Sequence, residues 1–362
     1  MKMTRTSSRK QQHVDISLTK DVAFRTKSPG FDRWDFLHNA LPELNLSDIN
    51  ASTVFLGKKI AFPFIISSMT GGYAKAERLN QQLAEVCAQK KIAMGVGSQR
   101  QALENIQFHR SFSVVRETAP DIPIFGNIGA AEVSKMRDAS QVLRMIDLIH
   151  ADGFAIHLNP LQELIQPEGS TNFYGVLDGI ELLAKSLPVP LIVKEIGAGI
   201  SADVARRLID VGVKIIDIAG AGGTSWAGIE ILRRKNRKGE KSRGDGTGKK
   251  QRKSSSAENF WDWGIPTVDA LQAVCRLKSE SSSLKVIASG GISNGIDCAK
   301  SVALGADFTA SALPIFRALA NGGIESVLEL IDQWEWEFQG AMFLTGSRSI
   351  AELQKQILYS RI

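Results

Sequence analysis

The chain contains no apolar run approaching the roughly 20 residues needed to span a membrane, and its start, MKMTRTSSRK, lacks the apolar segment of a secretory signal. Both absences lead to the expectation of a cytoplasmic protein without a membrane partner. Cysteine is scarce: Cys87, Cys275 and Cys298 lie far apart with no C-x-x-C spacing. That argues against a disulfide framework and a zinc site, and leaves thiols expected to be buried in helices. No G-x-G-x-x-G follows a first strand, so a Rossmann dinucleotide site is not indicated. No residue motif recurs at a fixed period, which removes a solenoid.

What is present begins with charge. The net charge of +6 would suit a nucleic-acid partner, but the excess sits in the first ten residues and in the run from 233 to 253, RRKNRKGEKSRGDGTGKKQRK. The rest of the chain is not basic, so no nucleic-acid partner is expected. The second run has no apolar periodicity and is rich in Gly, Lys and Arg, as mobile loops are; it is either a solvated loop or a lid over an anionic substrate.

From about residue 60 the chain alternates. Apolar runs at 60–67, 93–96, 123–126, 154–158, 191–193, 215–219, 286–288 and 307–310 are each followed by small or polar residues and then, with one exception, by a helical pattern. The helical stretches are expected at 76–90, 108–118, 139–150, 176–186, 202–211, 268–278 and 295–303, with long helices at the C-terminal end. The exception is the sixth run, which leads to the basic loop. About eight such units close an α/β (β/α)8 TIM barrel, and continuously apolar strands fit a parallel sheet covered on both faces; an open doubly wound sheet is the competing architecture. The expected organisation is an N-terminal extension with a substrate-binding arm over 1–55, a barrel over 56–345 with a basic loop at 233–258 after strand six, and a C-terminal helix over 346–362.

The unusual residues fall after the strands, on the face where a barrel keeps its chemistry. The segment 153–169, GFAIHLNPLQELIQPEG, releases His157, Asn159, Gln162 and Glu163 in quick succession, with Pro160 opposing immediate helix. The plainer alternative is a helix N-terminus with Asn159 as cap and Glu163 in the first turn. SGGI at 289–292, with Ser311 and Ala312 after the eighth strand, offers backbone N–H groups suited to a phosphate; Gly290-Gly291 as a mere tight turn is the alternative. AGAGGTSW at 219–226 follows a late strand and reads as a second part of that cradle, Thr224 donating. An aromatic cofactor on such a phosphate would meet Thr70, Ser98, Asn127 and Lys194 at the rim. Lys194 would stabilise negative charge on a reduced flavin, unless it is merely paired with Glu195. Arg9, Lys10 and His13, with Arg100, form a cationic group that is either a solvated tail or, with Glu163 holding Mg²⁺ beside Gln162 or waters, a diphosphate clamp.

Taken in order, RKQQH at 9–13, SMTGG at 68–72, GSQR at 97–100, GNIGA at 126–130, HLNPLQELIQPEG at 157–169, KEIGAG at 194–199, GAGGTSW at 220–226, WGIPT at 263–267 and SGGI at 289–292 resemble the type 2 isopentenyl-diphosphate isomerases over nearly the whole chain. The resemblance implies a flavin-dependent barrel that interconverts isopentenyl and dimethylallyl diphosphate, with FMN, Mg²⁺ and NADPH as flavin reductant, assembled as a homotetramer or homo-octamer to which WEWEF at 334–338 would lend an aromatic contact. It implies FMN contacts from Ser68, Met69, Thr70, Ser98, Asn127, Lys194, Thr224, Gly290, Gly291, Ser311 and Ala312. Substrate contacts would come from Arg9, Lys10, His13, Ser98, Gln99, Arg100, His157, Asn159, Gln162 and Trp226, with Glu163 on the metal. Gln12 and Ser170 stand where the family more often has an acid, neither in an assigned role.

Moving a double bond requires a proton added at one carbon and removed at another. The expectation is that reduced flavin serves as the acid/base, with Gln162, Lys194 and His157 as the catalytic set and Gln162 positioning, since an amide has no usable pKa. Two rivals remain. An FMN-dependent 2-hydroxy-acid oxidase would need a His base and an Arg late in the barrel, where SGG and SALP supply no His. A non-catalytic nucleic-acid-binding barrel would bind with steep salt dependence and without flavin.

Overall fold

Eight short apolar runs pair in parallel, each with the next in the chain, and the eighth returns to the first to close a barrel. The computed structural model describes residues 5–241 and 256–361. In chain order the barrel strands are Phe64–Ile66, Ala93–Gly95, Ile124–Gly129, Gly153–His157, Leu191–Lys194, Ile215–Asp217, Lys285–Ser289 and Phe308–Ser311. Alternation along each strand sorts its side chains. Ile65, Phe125, Ala155, Ile192, Ile215 and Ile287 fill the interior, whereas Ile66, Phe154, Val193, Ile216 and Ala288 pack outward with the surrounding helices. Two residues past an inward filler lies the next inward position. At the C-terminal rim those positions hold Asn127, His157, Lys194, Asp217 and Ser289, so an apolar core ends in a polar ring.

The opposite end is plugged by a hairpin, Thr53–Phe55 paired with Lys58–Ile60, whose Phe55 and Ile60 join the inner cluster. Its two-residue turn holds Leu56 and Gly57 at φ 47° and 80°, the left-handed pair that matches hairpin twist. Among the described residues no helix is long and apolar enough to cross a membrane. Cys87 and Cys298 are buried and Cys275 half-buried, all in helices.

Helices Ala76–Lys90, Val176–Ser186 and Gly295–Ala303 have the expected bounds, and the others expected on the barrel lie within a few residues of theirs. Several expectations require correction. The sixth strand is followed by a helix, Trp226–Lys241, so residues 233–241 are not loop; of the rest of the expected loop, 242–255 lies outside the described residues and 256–258 is helical, not loop. Ser225 Oγ accepts from Gly228 N–H at 3.0 Å and caps the helix, and buried Ala227, Ile229 and Ile231 anchor it ahead of the basic run. The expected C-terminal helix is only Ile350–Leu353; Gly346 at φ 71° breaks the chain, and Leu358–Ser360 pairs antiparallel with Trp34–Phe36. Pro160 does not prevent a helix but starts one, Pro160–Ile165, because the first helical position needs no N–H donor. Of WEWEF, Trp334 and Phe338 are core residues, with Trp334 edge-on to Phe64, and Trp336 is exposed.

Candidate active site

The polar rim opens into a cavity of about 1070 Å³. Its roof comes from the N-terminal helix Arg5–Thr19, in which Arg9, His13 and Ser17 recur at one-turn spacing with Lys10 and Val14 beside them, one face turned to the cavity. Ile16, Val22 and Ile229 pack that helix onto the Trp226 helix, and Arg317 donates to the carbonyls of Ser17 and Lys20 at its C-terminal end. Of the residues singled out by sequence, Gln99 alone does not line the cavity. It lies behind the wall, fully buried, donating to Met145 O at 3.0 Å and accepting from Asn127 N–H.

At one end the cavity is bounded by main chain. Gly290 and Gly291 have φ of 98° and 77°, and a Cβ on Gly290 would stand 2.1 Å from Gly220 O, one on Gly291 2.3 Å from Pro29 Cγ. Bare backbone at this position suits a phosphate. Nearby, Ser68 Oγ is buried without a hydrogen-bond partner. A phosphate-bearing FMN therefore fits: a glycine cradle, an unpaired hydroxyl and a cation, Lys194, line one cavity. Lys194 does not pair with the Glu195 carboxylate. Its Nζ donates to the Glu195 carbonyl at 2.5 Å, while that carboxylate accepts from the N–H groups of Ile196, Gly197 and Ala198. Burial outweighs those donors and raises the Glu195 carboxyl to about 7.

The other end is charged. Lys10 Nζ donates to Gly71 O at 2.6 Å and Ser98 O at 2.8 Å. Arg100 pairs with Glu104 and Glu132. Asn159, at the start of the Pro160 helix, makes no capping bond; its Nδ2 donates instead to Gln162 Oε1 at 3.0 Å and Glu163 Oε1 at 3.1 Å. Both readings of this stretch thus hold in part: it is a helix start, and its side chains still turn to the cavity. Asn159 Oδ1 is buried without a partner. Among the described residues no three His, Cys, Asp or Glu side chains gather as a metal site. The Glu163 carboxylate and the Asn159 amide oxygen are hard donors that fit Mg²⁺ only if waters and substrate phosphate oxygens complete the shell.

His157 accepts no charge here. Burial, then Lys194, Lys10 and Arg9, push it down to about 3, and its Nδ1 lies 2.9 Å from Asn127 Oδ1. Gln162 has both ends of its amide engaged: Oε1 by Asn159, Nε2 donating to Glu230 Oε1 at 3.3 Å. Glu230 was not anticipated. It is fully buried, takes His13 Nε2 at 2.8 Å and Arg233 Nε at 2.7 Å, and Arg233 continues to Glu168 at 2.7 Å. Its signal is a lone acid inside the apolar AGIEIL that follows GTSW. Trp226 stands edge-on to His13, centroids 5.4 Å apart.

Similarity to known proteins bears on family and fold. The family model for FMN-dependent dehydrogenase matches residues 3–119 and 162–360. A protein of Pelodictyon phaeoclathratiforme called isopentenyl-diphosphate delta-isomerase is 47% identical over 99% of this chain and 98% of its own length. One of the same name from Pseudescherichia vulneris is 43% identical over 100% and 99%. Among solved structures, a flavocytochrome b2 variant with sulfite bound superposes with a TM-score of 0.68 at 16% identity, over 96% of this chain and 82% of that one. A Pediococcus acidilactici lactate oxidase gives 0.66 at 16% identity, over 100% and 96%. These two speak for the fold alone.

Proposed function

The chain belongs to the isopentenyl-diphosphate delta-isomerases, within the FMN-dependent dehydrogenase family, and from that premise we propose that it interconverts isopentenyl and dimethylallyl diphosphate by a 1,3-proton shift with no net redox change. The observation that carries this reading is one cavity joining a bare glycine cradle to a cluster of Arg9, Lys10 and Arg100 over Glu163 and Gln162. A cofactor phosphate suits the first end and a substrate diphosphate the second. Mg²⁺ on Glu163 and Asn159 would neutralise the diphosphate, and NADPH would keep FMN reduced.

Bound reduced FMN would supply an acidic N–H and an electron-rich ring beside the alkene. The protein's part is placement. Arg9, Lys10 and Arg100 pin the diphosphate, so the alkene meets the reacting groups in one orientation. Gln162, its amide turned one way by Asn159 and Glu230, positions the alkene and does not ionise. His157 is neutral and acts by hydrogen bonding, Lys194 supplies the cation toward the ring, and Trp226 walls the pocket from water. Gln162→Ala should therefore lower turnover while leaving FMN affinity unchanged; intact turnover would remove the positioning role.

In D₂O, reduced enzyme should give dimethylallyl diphosphate with deuterium in a newly formed methyl group, read by NMR. Product without deuterium would exclude the proton shift. For a 2-hydroxy-acid oxidase the histidines offer little: those lining the cavity, His13 and His157, are engaged by Glu230 and Asn127. Family membership also carries the proposal of a homotetramer or homo-octamer, checked by light scattering.

A further inference from the structure

Lys194 has a partner that does not itself line the cavity. Asp217 stands opposite it on the next strand, the two Cα atoms in register, with Oδ2 3.9 Å from Nζ. The residues are only 7% and 3% exposed. Asp217 Oδ1 accepts from Ser289 Oγ at 2.5 Å and from Ala219 N–H at 3.2 Å. Ser289 leads directly into Gly290 and Gly291; Ala219, held at φ 34°, leads into the 220–223 glycine turn. One carboxylate therefore ties together the lysine and both loops of the cradle. Two donors on Oδ1 prevent it from swinging away, and Oδ2 is left facing the ammonium. The carboxylate of the neighbouring Glu195 is turned onto backbone N–H groups and leaves the lysine its carbonyl.

We propose that Asp217 is the fixed counter-ion of Lys194, a positioning residue that holds the ammonium at the cavity wall and offsets part of the positive field it exerts on FMN. The proposal rests on the reading that FMN occupies the barrel mouth. A lone buried lysine would favour negative charge on the ring as a full cation; a paired one acts as a dipole, weaker and more steeply dependent on distance. Removing the lysine alone leaves a buried negative charge, which is costly and repels a reduced ring, whereas replacing both partners with neutral groups of similar size leaves neither defect.

The test compares Lys194→Met with Lys194→Met/Asp217→Asn at pH 8.5; burial raises the Asp217 carboxyl against the pull of Lys194, Ser289 and the Ala219 N–H, and an alkaline pH favours its charged form. In the apoproteins, thermal unfolding should show the single variant melting lower than wild type and the double variant regaining most of the loss. In the FMN-loaded proteins, the preference for reduced over oxidised FMN should be at least tenfold greater in the double variant than in the single, which is about 30 mV for a two-electron couple. Absence of rescue in the apoproteins overturns the counter-ion. Rescue in the apoproteins with equal potentials in the two loaded variants leaves the pair standing and overturns the placement of FMN beside it.

Discussion

Lys10 ought to make diphosphate binding a proton-uptake reaction. Its Nζ donates to two backbone carbonyls and sits 5.8 Å from the Phe112 ring centroid. Burial, then the charge of Arg9 and with it Arg100, outweigh Glu104 and push the ammonium from 10.5 down to about 7. At about 1.4 kcal/mol per unit this is at most on the order of 5 kcal/mol in favour of the neutral amine, less in practice because part of the side chain meets a solvent-filled cavity. Between pH 7 and 10.5 the unfolded chain holds the proton that the folded one releases, so this group makes stability rise with pH across that window. A diphosphate reverses the balance: its negative charge draws the proton back. Affinity for isopentenyl diphosphate should fall as pH rises from 7 to 9, by up to roughly tenfold per unit. Calorimetric titration of the FMN-loaded protein in two buffers of different ionisation heat reads both the slope and the proton taken up. Lys10→Met should flatten the slope. A wild-type affinity independent of pH over that range, or an equal slope in Lys10→Met, would refute the reasoning.

Arg233→Met strands the fully buried Glu230 with His13 and Gln162 and should cost about 3–5 kcal/mol in denaturant unfolding, most of it regained on adding Glu230→Gln. Burial pushes the Glu230 carboxyl up, but His13 and Arg233 more than offset it, leaving it below the ordinary value of 4.5. The stability it contributes is present above that value and lost as pH falls through the lower folded one. Wild type should accordingly lose more stability under acid than Glu230→Gln. A Cβ at Gly290 would force apart the two glycine loops, so Gly290→Ala should weaken FMN binding at least roughly tenfold in a fluorescence titration; unchanged affinity would count against a main-chain cradle. The His157 imidazole, held at about 3, should show no NMR titration between pH 5 and 8, and a midpoint near 6.5 would contradict its burial among cations.

The barrel was legible because its signal is local and repeated: an apolar run, small residues, an amphipathic helix. The rim positions followed from their place just after each apolar run, which is why Asn127, His157 and Lys194 stand at the barrel mouth. What was not legible depends on long-range packing. Asp217 and Lys194 are 23 positions apart and meet only when their strands pair in register. Glu230 gains meaning only through His13, Gln162 and Arg233, from three separate segments. Residues 233–241 read as loop because composition dominated, although the buried residues just upstream were already committed to helix. The C-terminal strand was hidden because three residues carry no period; its partner, Trp34–Phe36, lies over 300 residues away. Gln99 was drawn in by its neighbours in GSQR, yet its side chain points to Met145 rather than to the cavity.

The central claim is that the flavin is a standing catalyst in an isomerisation. It is tested most directly by holding the protein anaerobic with FMN, NADPH, Mg²⁺ and isopentenyl diphosphate, and following product and nicotinamide absorbance together. Many molecules of dimethylallyl diphosphate per NADPH consumed is the predicted result. One NADPH lost per product, or no product while FMN is bound, would contradict it.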